Sequence, residues 1–194
     1  QTLVNDSTCP WNDPVVHDAQ DERYFSFQYG LAAFVMLDVN NQSPDCGTSG
    51  TNCNITGENE GGTYAPDWMP GSRQYAWLEE TLQQAEQESR FTFVVWHHAP
   101  YSSGPHAQTP PADDQSGVPT RALNALLQRH RVTAVFNGHD EMAEMSDVPG
   151  TRAEGGDPRH TLRYFLPGTV GDGLRDELAG DLNPHRRQIK VLTA

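Results

Sequence analysis

Two short stretches of this 194-residue chain carry side chains that could do chemistry. In Phe91–Gly104, FTFVVWHHAPYSSG, an apolar run ends in His97 and His98 and passes into a Pro/Ser/Gly loop. In Val132–Glu141, VTAVFNGHDE, an apolar run ends in the Asn137-Gly138 turn and delivers His139, Asp140 and Glu141. Imidazole is a preferred ligand for zinc, iron, manganese and nickel, and carboxylates suit manganese, iron and magnesium. His139 and Glu141, two apart, project to one side of an extended segment, so both can meet one metal or two adjacent metals. Strand alternation sends His97 and His98 opposite ways, so one can face a metal while the other faces substrate or packs. Gly138 allows a sharp turn and a close backbone approach. Any one of these histidines alone is equally explained as a hydrogen-bonded core side chain. The joint occurrence after two apolar strands is what points to metal.

Other chemistries have less support. Ser102 and Ser103 lie near His97, but no G-x-S-x-G elbow surrounds them. Gly168-Thr-Val-Gly-Asp-Gly lacks the lysine and the following helix of a phosphate-cradling loop.

The elements that must position these residues read as follows. Phe91–Trp96 and Val132–Phe136 are apolar enough for strands covered on both faces, and ligands bind beyond the carboxyl ends of such strands. Tyr24–Gln28 and Leu31–Val39 form a hairpin about the Tyr29-Gly30 turn. Ser72–Ser89 is the clearest helix: Ser72 can cap it, and Tyr75, Leu78, Leu82 and Ala85 recur at three- and four-residue spacing. Pro119–His130 is a shorter helix with proline in its first turn and Leu123, Leu126 and Leu127 inward. Thr161–Leu166 and Gln188–Leu192 read as further strands, with Asp147–His160 a Gly/Pro/Asp-rich loop between. Strand, helix, strand, helix, strand is the order of an α/β layered fold. Residues 40–70 form a long Gly/Asn/Ser/Thr/Pro loop with Tyr64 and Trp68 as apolar anchors, and residues 102–116 form a second one, carrying His106 and Asp113, that can wall a cleft.

Composition narrows the function classes. Against 26 acidic residues stand 13 basic ones, a net charge of −13, with Lys190 the single lysine. That balance opposes a nucleic-acid-binding face and attraction to anionic membrane surfaces. No run approaches the roughly 20 apolar residues of a membrane span. Cys46 and Cys53 bracket a Gly/Ser/Thr loop that could close a disulfide ring, the other reading being free thiols, with Cys9 unpaired or bonded elsewhere. Together with N-x-S/T sequons at Asn5, Asn41 and Asn54, this leans toward a secreted, extracellular setting, any signal segment having been removed.

These pieces resemble, in order, motifs of the calcineurin-like metallophosphoesterases, and more narrowly of the purple acid phosphatase branch. Tyr24–Asp38 is similar to that branch's Y-Y-S-F-x-Y-G strand pair and Gly71–Leu82 to its G-S-x-Q-x-x-W-L helix. VVWHHAPYSSG resembles its H-x-P-x-Y-S-S block, NGHDE its G-H-x-H block, and Tyr164–Gly168 the strand and glycine turn that follow. The resemblance covers roughly residues 24–175. It implies an α/β fold, a layered β-sheet sandwich flanked by helices, and hydrolysis of phosphate mono- or diesters at a pair of iron, zinc or manganese ions. His97 and His139 would be metal ligands, Glu141 would stand where the family has its second histidine, and His98 and Tyr101 would face the phosphate-ester substrate. Ala143 and Met145 replace an aromatic and an arginine of the family pattern. The family's first three metal-binding blocks are absent. Residues 1–194 therefore read as the C-terminal half of one catalytic domain, incomplete at its N-terminal side, whose missing N-terminal half is the expected partner. A non-catalytic structural or interaction protein derived from the same fold is the alternative.

Overall fold

A computed structural model describes residues 24–39, 68–109, 112–113, 116–168 and 182–190, with only the backbone described at 188–190. Cys9, Cys46, Cys53, the three sequons and Tyr64 lie outside the described residues.

Seven strands form one mixed sheet: β1 (Phe25–Tyr29), β2 (Ala32–Met36), β3 (Phe91–His98), β4 (Ala134–Gly138), β5 (Ala143–Pro149), β6 (Thr161–Pro167) and β7 (Arg186–Lys190). Their order across the sheet is β1-β2-β3-β4-β6-β5-β7. The expected hairpin is present: β1 and β2 are antiparallel, with Gly30 at φ 58° in the turn. β2, β3, β4 and β6 run parallel. Helix α1 (Arg73–Glu88) connects β2 to β3, and a 3-10 segment (Val118–Leu123) continuing into α2 (Asn124–Arg129) connects β3 to β4. This is the α/β fold expected from the alternating elements.

The Ser72 hydroxyl caps α1 by accepting from the Tyr75 amide at 3.2 Å, as the sequence predicts. The buried stripe of α1 is Gln74, Leu78, Leu82 and Ala85, one residue off the predicted start at Tyr75, which is only partly buried. Leu78 and Leu82 join Leu126 and Leu127 of α2 over one face of the sheet, where Val35, Val94, Val135 and Tyr164 sit in register. Trp68 packs fully buried in this core. No helix among the described residues is long and apolar enough to cross a membrane.

The other face carries an aromatic ladder. Phe27, Phe34, Phe93, Phe136 and Phe165 follow one another across β1, β2, β3, β4 and β6 with ring centroids 4.9, 5.4, 6.1 and 5.3 Å apart. All five are half-exposed. A sheet face of this composition requires a second layer.

One strand is missed by sequence pattern. β5 alternates inward Glu144, Ser146 and Val148 with outward residues, so two of its three inward positions are polar. The usual period-2 hydrophobic signal is therefore absent. Those polar groups are satisfied internally: Glu144 accepts from the Ser103 amide (2.8 Å), the Ser103 hydroxyl (3.0 Å) and the Asn183 amide (2.6 Å), and Asn183 also donates to the Ser146 hydroxyl (2.8 Å).

Candidate functional site

β3 continues through both histidines, and its pairing with β4 breaks register between Val95 and His98. Side chains take up the carbonyls left by this irregularity. Trp96 Nε1 donates to the His98 carbonyl at 2.7 Å, and Asn137 Nδ2 donates to the Trp96 carbonyl at 3.0 Å. The carboxyl ends of two parallel strands thus sit side by side, His98 level with Gly138. A Cβ on Gly138 would lie 3.3 Å from His97 Nδ1, so the absence of a side chain there lets the His97 ring lie against β4.

Three imidazoles surround that of His139. Its ring centroid is 5.1 Å from His97, 4.3 Å from His98 and 4.3 Å from His106. His139 Nδ1 and His97 Nε2 are 3.3 Å apart. The backbone of this segment is unusual. His139 (φ 76°) and Glu141 (φ 52°) both occupy the left-handed region without being glycine. Each such residue costs about 1–2 kcal/mol.

His98 is completely buried, and its environment is specific. Gln74 clamps the backbone of Asp38 through two 3.0 Å hydrogen bonds, which fixes the end of β2. The next carbonyl, that of Val39, accepts from His98 Nδ1 at 3.2 Å. Nε2 is then the lone-pair nitrogen, and it is buried with no hydrogen-bond partner. Burial, reinforced by neighbouring His97, lowers the His98 pKa to about 4, so the ring is neutral at pH 7. Burial also lowers that of His97, which is the more exposed ring.

His106 enters from the loop after β3, where sequence pattern shows only a cleft wall. Asp140 brings it there: one carboxylate oxygen of Asp140 accepts from the His106 amide at 2.8 Å. A Cβ on Gly104 would lie 2.8 Å from that same oxygen, so the loop approaches only because residue 104 is glycine. The His106 ring is held in turn by Asp113, with Nδ1 donating at 3.2 Å. Burial raises the Asp140 pKa.

The predicted site residues divide. His97, His98 and His139 are brought together, and Glu141 lies two residues beyond on the same strained segment. Tyr101 is not brought to them. It is buried in the main core, with its hydroxyl accepting from Asn124 at 2.7 Å and its ring under the Arg121 guanidinium. Its other ring partners are Tyr164 and His185, none of the four clustered histidines. His98 likewise departs from expectation: a ring with no exposed surface does not face open solvent or substrate. Among the described residues no group of three or more His, Cys, Asp or Glu is arranged to hold a metal ion.

Over part of its length the chain is similar in sequence to a purple acid phosphatase, and its mixed sheet backed by helices is similar in fold to another. A stretch of 78 residues, 40% of this chain, is 33% identical to probable purple acid phosphatase 20 of Arabidopsis thaliana and spans 18% of that protein. Purple acid phosphatase PPD1 from yellow lupin (Lupinus luteus) seeds superposes with a TM-score of 0.53 at 17% identity, over 80% of this chain and 24% of its own. PhoD overlays with a TM-score of 0.46 at 15% identity, over 88% of this chain and 34% of its own. The chain thus spans about a quarter or less of the length of each of these two purple acid phosphatases. No protein-family model matches it.

Proposed function

We propose that this chain supplies about half of the active site of a metal-dependent phosphoesterase, acting on phosphate mono- or diesters with two ions of iron, zinc or manganese. The remaining ligands belong to the rest of the catalytic domain, on the same precursor or another chain. The observation that carries this reading is the left-handed backbone at His139 and Glu141 inside an imidazole cluster. Strain of this kind persists where the surrounding structure enforces it, and it concentrates at functional sites. The names of the relatives, both phosphatases, support the same chemistry.

The His97–His139 pair has the spacing of two metal ligands. The 3.3 Å between His139 Nδ1 and His97 Nε2 matches the separation of about 3.3 Å between two ligand nitrogens at metal–nitrogen distances of about 2.0–2.1 Å. The same distance also suits one ring donating to the other, so either state of the pair is accommodated. His98 is prepared as a ligand should be, with Nδ1 tied to a carbonyl and the Nε2 lone pair kept dry. In this reading His97, His139 and Glu141 would hold the metals, and His98 would join them through Nε2 in place of a substrate-facing role. When bound, the metal pair supplies Lewis-acid polarisation of the phosphoryl group and an activated water for in-line attack. The chain's own part is positioning. Gln74 and Val39 fix His98, Gly138 admits His97, and Asp140 with Asp113 seats His106 at the border of the same space.

The half-exposed aromatic ladder would give the rest of the domain a surface to cover. A secreted, extracellular setting remains part of this reading. A non-catalytic protein of the same fold is the second reading, favoured by Glu141, Ala143 and Met145 standing where the family pattern has other residues.

The test uses a longer protein containing this chain, assayed on p-nitrophenyl phosphate and bis(p-nitrophenyl) phosphate. Hydrolysis of either that disappears on chelation, returns with iron, zinc or manganese, and falls at least about 100-fold in His139→Ala supports the proposal. A folded, metal-loaded protein that hydrolyses neither ester leaves the non-catalytic reading.

A further inference from the structure

A cavity of about 530 Å³ lies beside the 3-10 segment and α2, and none of His97, His98, His106, His139 or Glu141 lines it. Tyr101, Arg121, Asn124, Thr151, Glu154 and His185 form its polar walls. Its hydrogen-bond inventory is lopsided. The Arg121 guanidinium lies 4.4 Å from the centre of the Tyr101 ring, and its Nε donates to the Pro100 carbonyl at 2.9 Å. These two contacts fix its plane. Its four other N–H groups find no acceptor, and the cation no carboxylate partner, among the described residues. The Tyr101 hydroxyl accepts from Asn124, so its own proton also lacks an acceptor among the described residues. The His185 ring meets Tyr101 edge-on with centroids 5.2 Å apart and makes no hydrogen bond with a described residue. Asn124 is fully engaged, donating to Tyr101 and accepting from the Tyr164 hydroxyl. The one acidic wall, Glu154, accepts from the Thr151 hydroxyl at 2.7 Å.

A fixed cation and two further unspent donors around one cavity call for a ligand that accepts. We propose that this cavity binds a small oxyanion, a carboxylate or a phosphate group, gripped by the planar edge of Arg121 and by the Tyr101 and His185 donors. A guanidinium held in one plane suits the bidentate geometry of such groups. Glu154 in the same wall opposes negative charge, so the site takes a singly charged group more readily than a dianion. This explains why Tyr101, next to the histidine block in sequence, is directed elsewhere.

The experiment is an NMR titration of the chelator-treated full chain with inorganic phosphate and, separately, with acetate, reading the backbone amide resonances of Arg121, Thr151 and His185, which line the cavity. The proposal predicts a saturable shift. Arg121→Gln weakens binding at least about tenfold, as loss of a charge-assisted bidentate contact requires. Tyr101→Phe keeps the stacked ring and still weakens binding severalfold. Glu154→Gln tightens phosphate, while His139→Ala changes nothing, which separates this cavity from the histidine cluster. Saturation by phosphate alone assigns a phosphoryl group, by acetate alone a carboxylate, and by both a general oxyanion site. No saturable shift with either anion, or equal affinity in folded Tyr101→Phe and Glu154→Gln, overturns it.

Discussion

His98 donates its Nδ1 proton to the carbonyl of Val39, 59 residues earlier in the chain, at 3.2 Å. That bond fixes which ring nitrogen keeps its lone pair, and burial keeps the ring neutral. His98→Asn retains a side-chain N–H for Val39 but removes Nε2. We expect it to cost about 1–2 kcal/mol in urea unfolding, the loss of a partly filled buried site. Zinc affinity, read by competition with a chromophoric chelator, should fall at least about tenfold. Unchanged zinc affinity would exclude His98 as a ligand.

The strain at Glu141 gives a prediction of opposite sign. Asparagine tolerates the left-handed region better than glutamate. Glu141→Asn is therefore expected to leave stability unchanged or raise it by a few tenths of a kcal/mol, while metal loading falls. Thermal unfolding and elemental analysis of the same samples check both halves. A clear loss of stability would mean that the glutamate side chain, not function, holds this backbone.

Two glycines differ sharply in how much room surrounds them. A Cβ at Gly117 would stand 2.1 Å from the Ala99 carbonyl oxygen, against backbone that cannot yield locally. Gly117→Ala should destabilise by about 3 kcal/mol or more. A Cβ at Gly138 meets only the His97 ring, at 3.3 Å. Gly138→Ala should cost about 1 kcal/mol or less and act mainly by displacing His97, seen as weaker zinc binding. Denaturant midpoints of the two variants rank them directly.

Burial raises the Glu144 carboxyl above its ordinary value, outweighing the Ser103 and Asn183 hydrogen bonds that pull it down. The folded chain therefore holds this proton more tightly than the unfolded chain. Its contribution is fullest below the unfolded value of 4.5 and is lost as pH rises through the folded value, then stays constant. Glu144→Gln does not titrate. Its stability relative to the parent chain should improve as pH is raised from about 4.5, whatever the fixed cost of the amide. Urea unfolding of both proteins across that range should show the difference changing, and a pH-independent difference would contradict the argument.

Much of the scaffold was legible because its signals are local. Ser72 and the leucine spacing define α1, and the apolar runs before His97 and His139 define β3 and β4 with their carboxyl ends at one place. β5 was not legible, because Glu144 and Ser146 occupy inward positions where a strand normally shows apolar residues. Their partners, Ser103 and Asn183, lie about forty residues away in either direction. The candidate site was legible as a pair of histidine-bearing strand ends. His106 was not, because what seats it is the Asp140 carboxylate and the small size of Gly104. Tyr101 was expected at the site through its place in the block that resembles the family's H-x-P-x-Y-S-S motif. Its hydroxyl instead answers to Asn124 and, through it, Tyr164, partners no local pattern reveals.

The most direct measurement is metal content by elemental mass spectrometry on a protein containing this chain, with intact mass read in parallel and His139→Ala as the comparison. The account predicts about two equivalents of iron, zinc or manganese per catalytic domain, as a two-metal phosphoesterase site requires. It predicts loss of at least one equivalent in the variant. A folded parent protein with no bound metal, or a His139→Ala variant with undiminished metal, would contradict it.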